Sequence, residues 1–148
     1  MTHQLNFIYN DSDWICPAEY PDLSQATEIA IDLETKDPNI KTKGPGWATF
    51  DGHIVGFAVA ALGQQWYFPI AHDAGGNMDL SITCAWMQDV LKTNATKIFH
   101  NASYDVGWLL VNGFEIRGKI VDTMIAAALI NENRFSFSLN ACAKDYLG

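Results

Sequence analysis

Cysteine and cationic side chains are scarce in this 148-residue chain. The three cysteines, Cys16, Cys84 and Cys142, lie far apart and form no C-x-x-C pair. That pattern supports neither a disulfide framework nor a zinc site, and it fits a reducing, cytoplasmic setting. Lysine and arginine number 9 against 17 aspartates and glutamates, for a net charge of −8. Such a balance counts against strong independent binding to nucleic acid, whose phosphates are met by cations. The objection weakens if some carboxylates hold divalent ions, or if the chain is tethered to a larger nucleic-acid-binding protein. No apolar run approaches the roughly 18 residues needed to cross a bilayer, so no membrane-spanning helix is expected. The stretch Met1 to Asn10 has no basic region leading into an apolar one, and no signal peptide is expected. Sequons at Asn10, Asn94 and Asn101 then read as coincidence.

What is present is material for one core: 49% hydrophobic residues, with five tryptophans and eight phenylalanines. Leu5 to Tyr9 alternate weakly, and Asp11 to Asp22 read as loop. Glu28 to Glu34 reads as a strand whose end is acidic. Lys36 to Gly46 is turn-rich. His53 to Leu62 and Gln65 to Ile70, split at Gly63, predict an antiparallel hairpin, followed by a glycine-rich loop from Ala71 to Asn77. Leu80, Cys84, Met87, Val90 and Leu91 share one helical face. Lys97 to His100 is a short strand, and Ala102 to Val111 a helix with Asn101 as N-cap and Gly113 beyond its end. Val121 to Ile130 and Ser136 to Tyr146 predict two more helices. Strands first, then alternating helices and strands, give an α/β fold: a mixed sheet flanked by helices. An RNase H-like arrangement suits that order, although periodicity alone permits other three-layer folds.

Two short segments carry chemistry. Asp32 and Glu34 are two apart on a strand, so both carboxylates leave one face and Leu33 leaves the other. Paired acids at the end of an apolar strand repel and resist desolvation, costs that a divalent cation relieves; the plain alternative is a strand end fraying into solvent. The second segment is His100–Asn101–Ala102–Ser103–Tyr104–Asp105, a strand end entering a helix. There the helix dipole favours the Asp105 carboxylate with or without a further role.

Together, Ile31–Asp32–Leu33–Glu34–Thr35 and Phe99–His100–Asn101–Ala102–Ser103–Tyr104–Asp105 resemble the first two motifs of DEDD-type 3′–5′ exonucleases. Trp66 to His72, Val121 to Met124 and Leu139 to Gly148 are similar to segments of the branch attached to family A DNA polymerases. The resemblance covers about Glu28 to Gly148, with 1–26 as an N-terminal extension and 27–148 as the exonuclease domain. It implies a two-metal site for Mg²⁺ or Mn²⁺. Asp32 and Glu34 would bind the catalytic ion, with Asp32 shared, and Asp105 would hold the second ion largely through water. Asn101 would contact the substrate near its 3′ end, and Thr35 or Tyr104 would support the terminal nucleotide. Asp122 would be a cap or a group supporting the ligands. The implied partners are a single-stranded DNA 3′ end and a polymerase domain in the same polypeptide.

The family's third motif, Tyr-x-x-x-Asp or His-x-x-x-x-Asp, does not follow Asp122. Tyr9 with Asp13 and His100 with Asp105 have its spacing but fall in the wrong place in the chain. The domain is therefore expected to be incomplete at its C-terminus and weakly active or inactive by itself. Two alternatives remain: RNase D-like trimming of RNA 3′ ends, and a catalytically silent RNase H-like binding module.

Overall fold

A computed structural model describes residues 14–148; the alternation at Leu5 to Tyr9 and the Tyr9–Asp13 pair lie outside the described residues. In chain order the elements are β1 (Glu28–Lys36), α1 (Ile40–Lys43), α2 (Gly46–Thr49), β2 (His53–Ala61), β3 (Gln64–Pro69), α3 (Leu80–Lys92), β4 (Thr96–Phe99), α4 (Ala102–Val111), β5 (Ile120–Asp122), α5 (Thr123–Ile130) and α6 (Leu139–Leu147). The strands form one sheet in the order β3-β2-β1-β4-β5. β1 is antiparallel to β2 and β2 to β3, whereas β4 runs parallel to both β1 and β5.

The hairpin forms as its sequence predicts. Leu62 and Gly63, with φ of 53° and 74°, make the two-residue connection whose positive φ values match the twist of the flanking strands. Strand alternation then sorts the side chains. Ile29, Ile31 and Leu33 of β1, Phe57 and Val59 of β2, Phe68 of β3 and Phe99 of β4 are buried in one core, joined by Met87, Val90 and Leu91 of α3 and Trp108 and Leu109 of α4. Burying side chains of this size stabilises the fold by roughly 1.5–3 kcal/mol each.

Residues 14–26, assigned by sequence to an extension, pack against that body. The Tyr20 ring stacks on Phe68 with centroids 5.6 Å apart, and its hydroxyl meets Thr83 Oγ1 at 2.7 Å. Leu23 is buried. Lys97 of β4 is also fully buried, and its ammonium donates to the carbonyls of Thr93, Ala95 and Arg117. Burial lowers its pKa, and those carbonyls fasten the α3–β4 turn to the approach of β5.

Three expectations change. The turn-rich excursion contains two single-turn helices, α1 and α2. Val121 and Asp122 belong to a short parallel strand rather than to the helix, because Asp122 closes β5 and caps α5 by accepting from Met124 N and Ile125 N. The last helix begins at Leu139, where the Ser138 side chain accepts from Ala141 N. No helix among the described residues is long and apolar enough to cross a membrane.

Candidate active site

β1 pairs with β4 only from Glu28 to Ala30. Beyond Ala30, that edge of β1 meets the start of α4 instead of another strand. The backbone N–H of Leu33 finds its acceptor there: Asp105 Oδ1, at 3.0 Å. One bond thus seats the α4 carboxylate against the backbone between Asp32 and Glu34. The latter two are exposed and share the sheet face opposite the core, facing Ala58 and Gly56 on β2. The register shifts between Glu34 and Thr35, where Val55 of β2 is the extra residue, an irregularity of the kind that re-aims side chains.

Asp105 is 3% exposed. Burial pushes its carboxyl up to about 7; the charges of Asp32 and Asp122 push the same way, against the pull of the Leu33 N–H bond. Burial also raises Asp32, partly offset by His100. Acidic groups therefore accumulate here with little cationic relief. The ion pairs of Lys36 with Asp73, Lys43 with Asp51, and Arg117 and Lys92 with Glu115 involve none of the three acids.

Asn101 occupies the N-cap position of α4 at φ 68°, but its side chain makes no capping bond, contrary to expectation. Its Oδ1 accepts from Ser103 Oγ at 3.2 Å. The capping work falls to Asp122, which accepts from Asn101 N at 3.1 Å and Ala102 N at 2.8 Å across the chain. Burial raises the Asp122 pKa, yet its four backbone N–H bonds outweigh that and hold it below the usual range. Thr35 Oγ1 and Tyr104 Oη lie 2.8 Å apart, so these two expected substrate contacts bond to each other.

The sequence reading gave no role to two further groups. His100 bonds Thr123 Oγ1 through Nδ1 at 2.9 Å and the Phe137 carbonyl through Nε2 at 2.8 Å, holding the start of α5 and the lead into α6. The Tyr67 hydroxyl bonds His72 Nε2 and lies over Gly56, where a Cβ would come within 2.1 Å of it. Burial, then the charge of Glu34, raise Tyr67 to about 12, so its hydroxyl stays protonated beside that acid. Both signals sat within the quoted motifs, but their bonds are long-range or conformational and leave no mark in spacing. An open groove of about 1070 Å³ runs along this face past Ala30, Asp32, Ala58, Tyr67 and His100.

Asp105 is thus seated on the β1 backbone at Leu33, the residue between Asp32 and Glu34 in sequence, with Asn101 and Tyr104 at the adjoining helix start. Among the described residues no group of three or more His, Cys, Asp or Glu side chains is placed to hold a metal ion, so the three acids do not converge as the resemblance implied. The donor set nonetheless fits a hard divalent ion, since Mg²⁺ is commonly held by one or two carboxylates together with waters and substrate phosphate.

A family model described as 3′–5′ exonuclease, of the DNA polymerase A type, matches residues 20–148. The chain is 33% identical over 145 residues to a DNA-directed DNA polymerase of Pseudomonas phage M6, and 30% identical over 132 residues to DNA polymerase DpoZ of Salmonella phage PMBT28. Those matches take in 93% and 88% of this chain but 22% and 19% of the relatives, so it spans about a fifth of their length. Among solved structures it is similar to Brucella melitensis NrnC with bound Mg²⁺ (20% identity, TM-score 0.60, 85% of this chain and 56% of that one). It is also similar to Pol1 of M. smegmatis in complex with DNA primer-template and dNTP (21%, 0.59, 84% and 19%) and to Escherichia coli RNase D (18%, 0.58, 84% and 28%). At these identities the structures attest the fold, which is the RNase H-like one expected. The family match and the phage relatives go further: this chain belongs to the 3′–5′ exonuclease domain family of family A-type DNA polymerases.

Proposed function

We propose that the chain serves as the proofreading-type exonuclease of a family A-like DNA polymerase, hydrolysing phosphodiester bonds at single-stranded DNA 3′ ends with two Mg²⁺ or Mn²⁺ ions. The observation that supports this reading is the Leu33 N–H bond to Asp105, which sets the α4 carboxylate against β1 at the residue flanked by the two acids. Asp32 and Glu34 would hold one ion, and Asp32 and Asp105 the other, the latter largely through water. When bound, such ions activate an attacking water and stabilise the departing 3′ oxygen. Asn101, set at the mouth of α4, would contact the phosphate or sugar near the 3′ end. Thr35 and Tyr104 would support the terminal nucleotide through the threonine methyl and the tyrosine ring, since their hydroxyls are bonded to each other. Asp122 stays out of the ion site, its oxygens engaged by backbone N–H groups. A polymerase domain in the same polypeptide would deliver the DNA, offsetting the −8 charge of this part.

With Asp32, Glu34 and Asp105 as its proposed ligands, the 148-residue chain is expected to bind Mn²⁺ weakly. Two assays test the reading. Mn²⁺ should raise the melting temperature of the chain, since a ligand of the folded state stabilises it. The polymerase polypeptide should digest 3′-labelled single-stranded DNA in an EDTA-sensitive way, faster than matched RNA, and lose this with Asp105→Asn. Faster cutting of RNA would favour RNase D-like trimming. Absence of both metal binding and cutting would leave a silent binding module.

A further inference from the structure

The excursion between β1 and β2 touches the candidate site through one carboxylate. Asp37 Oδ2 accepts two hydrogen bonds, from Tyr104 Oη at 2.9 Å and from the backbone N–H of Gly46 at 2.8 Å. Tyr104 has one hydroxyl proton and gives it to Asp37, so at the 2.8 Å contact Thr35 Oγ1 must donate to Tyr104. A directed chain of bonds, Thr35 to Tyr104 to Asp37, therefore joins the end of β1 to the first turn of α4. Thr35 follows Glu34, and Tyr104 precedes Asp105.

Packing presses the excursion onto the same helix. A Cβ on Gly107 of α4 would come within 2.5 Å of the Trp47 ring, and one on Gly46 within 1.9 Å of the Asp51 carbonyl and 2.8 Å of Trp108. These glycines let α2 and α4 meet at backbone distance. The other carboxylate oxygen, Asp37 Oδ1, is buried with no protein hydrogen bond. Burying half a carboxylate unpartnered is unfavourable, so stability alone does not account for an aspartate here. Among the described residues, Asp105 for its part bonds another element through Leu33 alone.

We infer that Asp37 is a positioning residue: by anchoring Tyr104 to the α2 turn, it fixes the first turn of α4 against β1 and holds Asp105 in register between Asp32 and Glu34. The consequence for metal binding rests on the exonuclease reading, whereas the register itself does not. Losing Asp37 lets the start of α4 shift away from β1, and the Leu33 amide is the reporter, because Asp105 is its acceptor.

The test is amide hydrogen exchange by NMR on the metal-free chain, with Mn²⁺ titration of the same variants. Asp37→Ala and Tyr104→Phe should each speed Leu33 exchange about tenfold or more, the scale of one lost hydrogen bond to a charged group. Amides of Phe57 and Val59 should exchange as before. Asp37→Asn, whose carbonyl oxygen still accepts both bonds, should restore most of the protection. The double variant should be no worse than either single one, because both remove the same link. Mn²⁺ affinity should fall about tenfold in Asp37→Ala, the scale of losing a group that orients a ligand. Unchanged Leu33 exchange in Tyr104→Phe, which keeps the ring and so the fold, or additive effects of the two substitutions, would overturn the inference. If Leu33 behaves as described but the wild-type chain binds no Mn²⁺ and the polymerase polypeptide cuts no DNA, the exonuclease reading fails while the register role of Asp37 stands.

Discussion

The starts of α4 and α5 each carry an aspartate close to backbone N–H groups, and the two carboxyls are driven in opposite directions. Asp122 sits at the N-cap of α5 and accepts from four amides, two in its own helix and two at the start of α4. Asp105 lies inside the first turn of α4, more deeply buried, with one amide from β1 and two like charges nearby. Four backbone bonds outweigh burial at Asp122, whereas those from Leu33 and from its own amide do not at Asp105. Asp122 is supplied with the donors that keep it charged, whereas Asp105 is short of them, a cost that a bound cation would relieve. The difference separates a capping residue from a candidate ligand without appeal to motif.

Raising the pH should break this contrast first. Asp105 has a folded pKa of about 7, above the ordinary value of 3.8, so the folded state holds its proton more tightly than the unfolded chain does. Its contribution is therefore full below about pH 4 and is lost as pH rises towards 7. At roughly 1.4 kcal/mol per unit, the metal-free chain should lose on the order of 4 kcal/mol across that window from this group. Chemical denaturation at pH 4.5 and 7.5 measures it, and Asp105→Asn, which keeps an oxygen for Leu33, should flatten the slope. Asp122 behaves oppositely. Its depressed pKa means its support is present above pH 4 and fades as pH falls through the folded value.

Removing the carboxyls comes next in size. Asp122→Ala strips the cap from α5 and leaves Asn101 and Ala102 amides unsatisfied, so the melting curve should report a loss of about 2 kcal/mol. At pH 8, Asp105→Asn should instead raise the stability of the metal-free chain. The smallest effect is expected beyond both helix starts. Leu129, on the exposed side of α5, is 83% accessible, and Leu129→Ala should stay within about 0.5 kcal/mol of wild type in the same assay.

How much of this was legible follows from range. Two apolar runs split at Gly63 revealed the hairpin, the strand period gave the shared face of Asp32 and Glu34 on β1, and helical spacing revealed α3 and α4. A three-residue strand such as β5 has no period to read, and Val121 and Asp122 were absorbed into the helix they precede. Asn101 looked like a cap because its neighbours in sequence are the only ones a sequence shows; the actual cap comes from Asp122, 20 residues away at Ala102. The seat of Asp105 on Leu33 spans 72 residues and the Asp37–Tyr104 bond 67, separations at which spacing carries no signal. The acids could be named from motif alone, but their contrasting environments needed the fold.

The most direct measurement is the Mn²⁺-induced shift in melting temperature at pH 8 for the wild-type chain, Asp105→Asn and Asp122→Asn. The account predicts a shift in wild type that persists in Asp122→Asn, from a lower starting temperature, and is clearly smaller in Asp105→Asn, which loses one of the two proposed ion contacts. A shift of equal size in Asp105→Asn would contradict it.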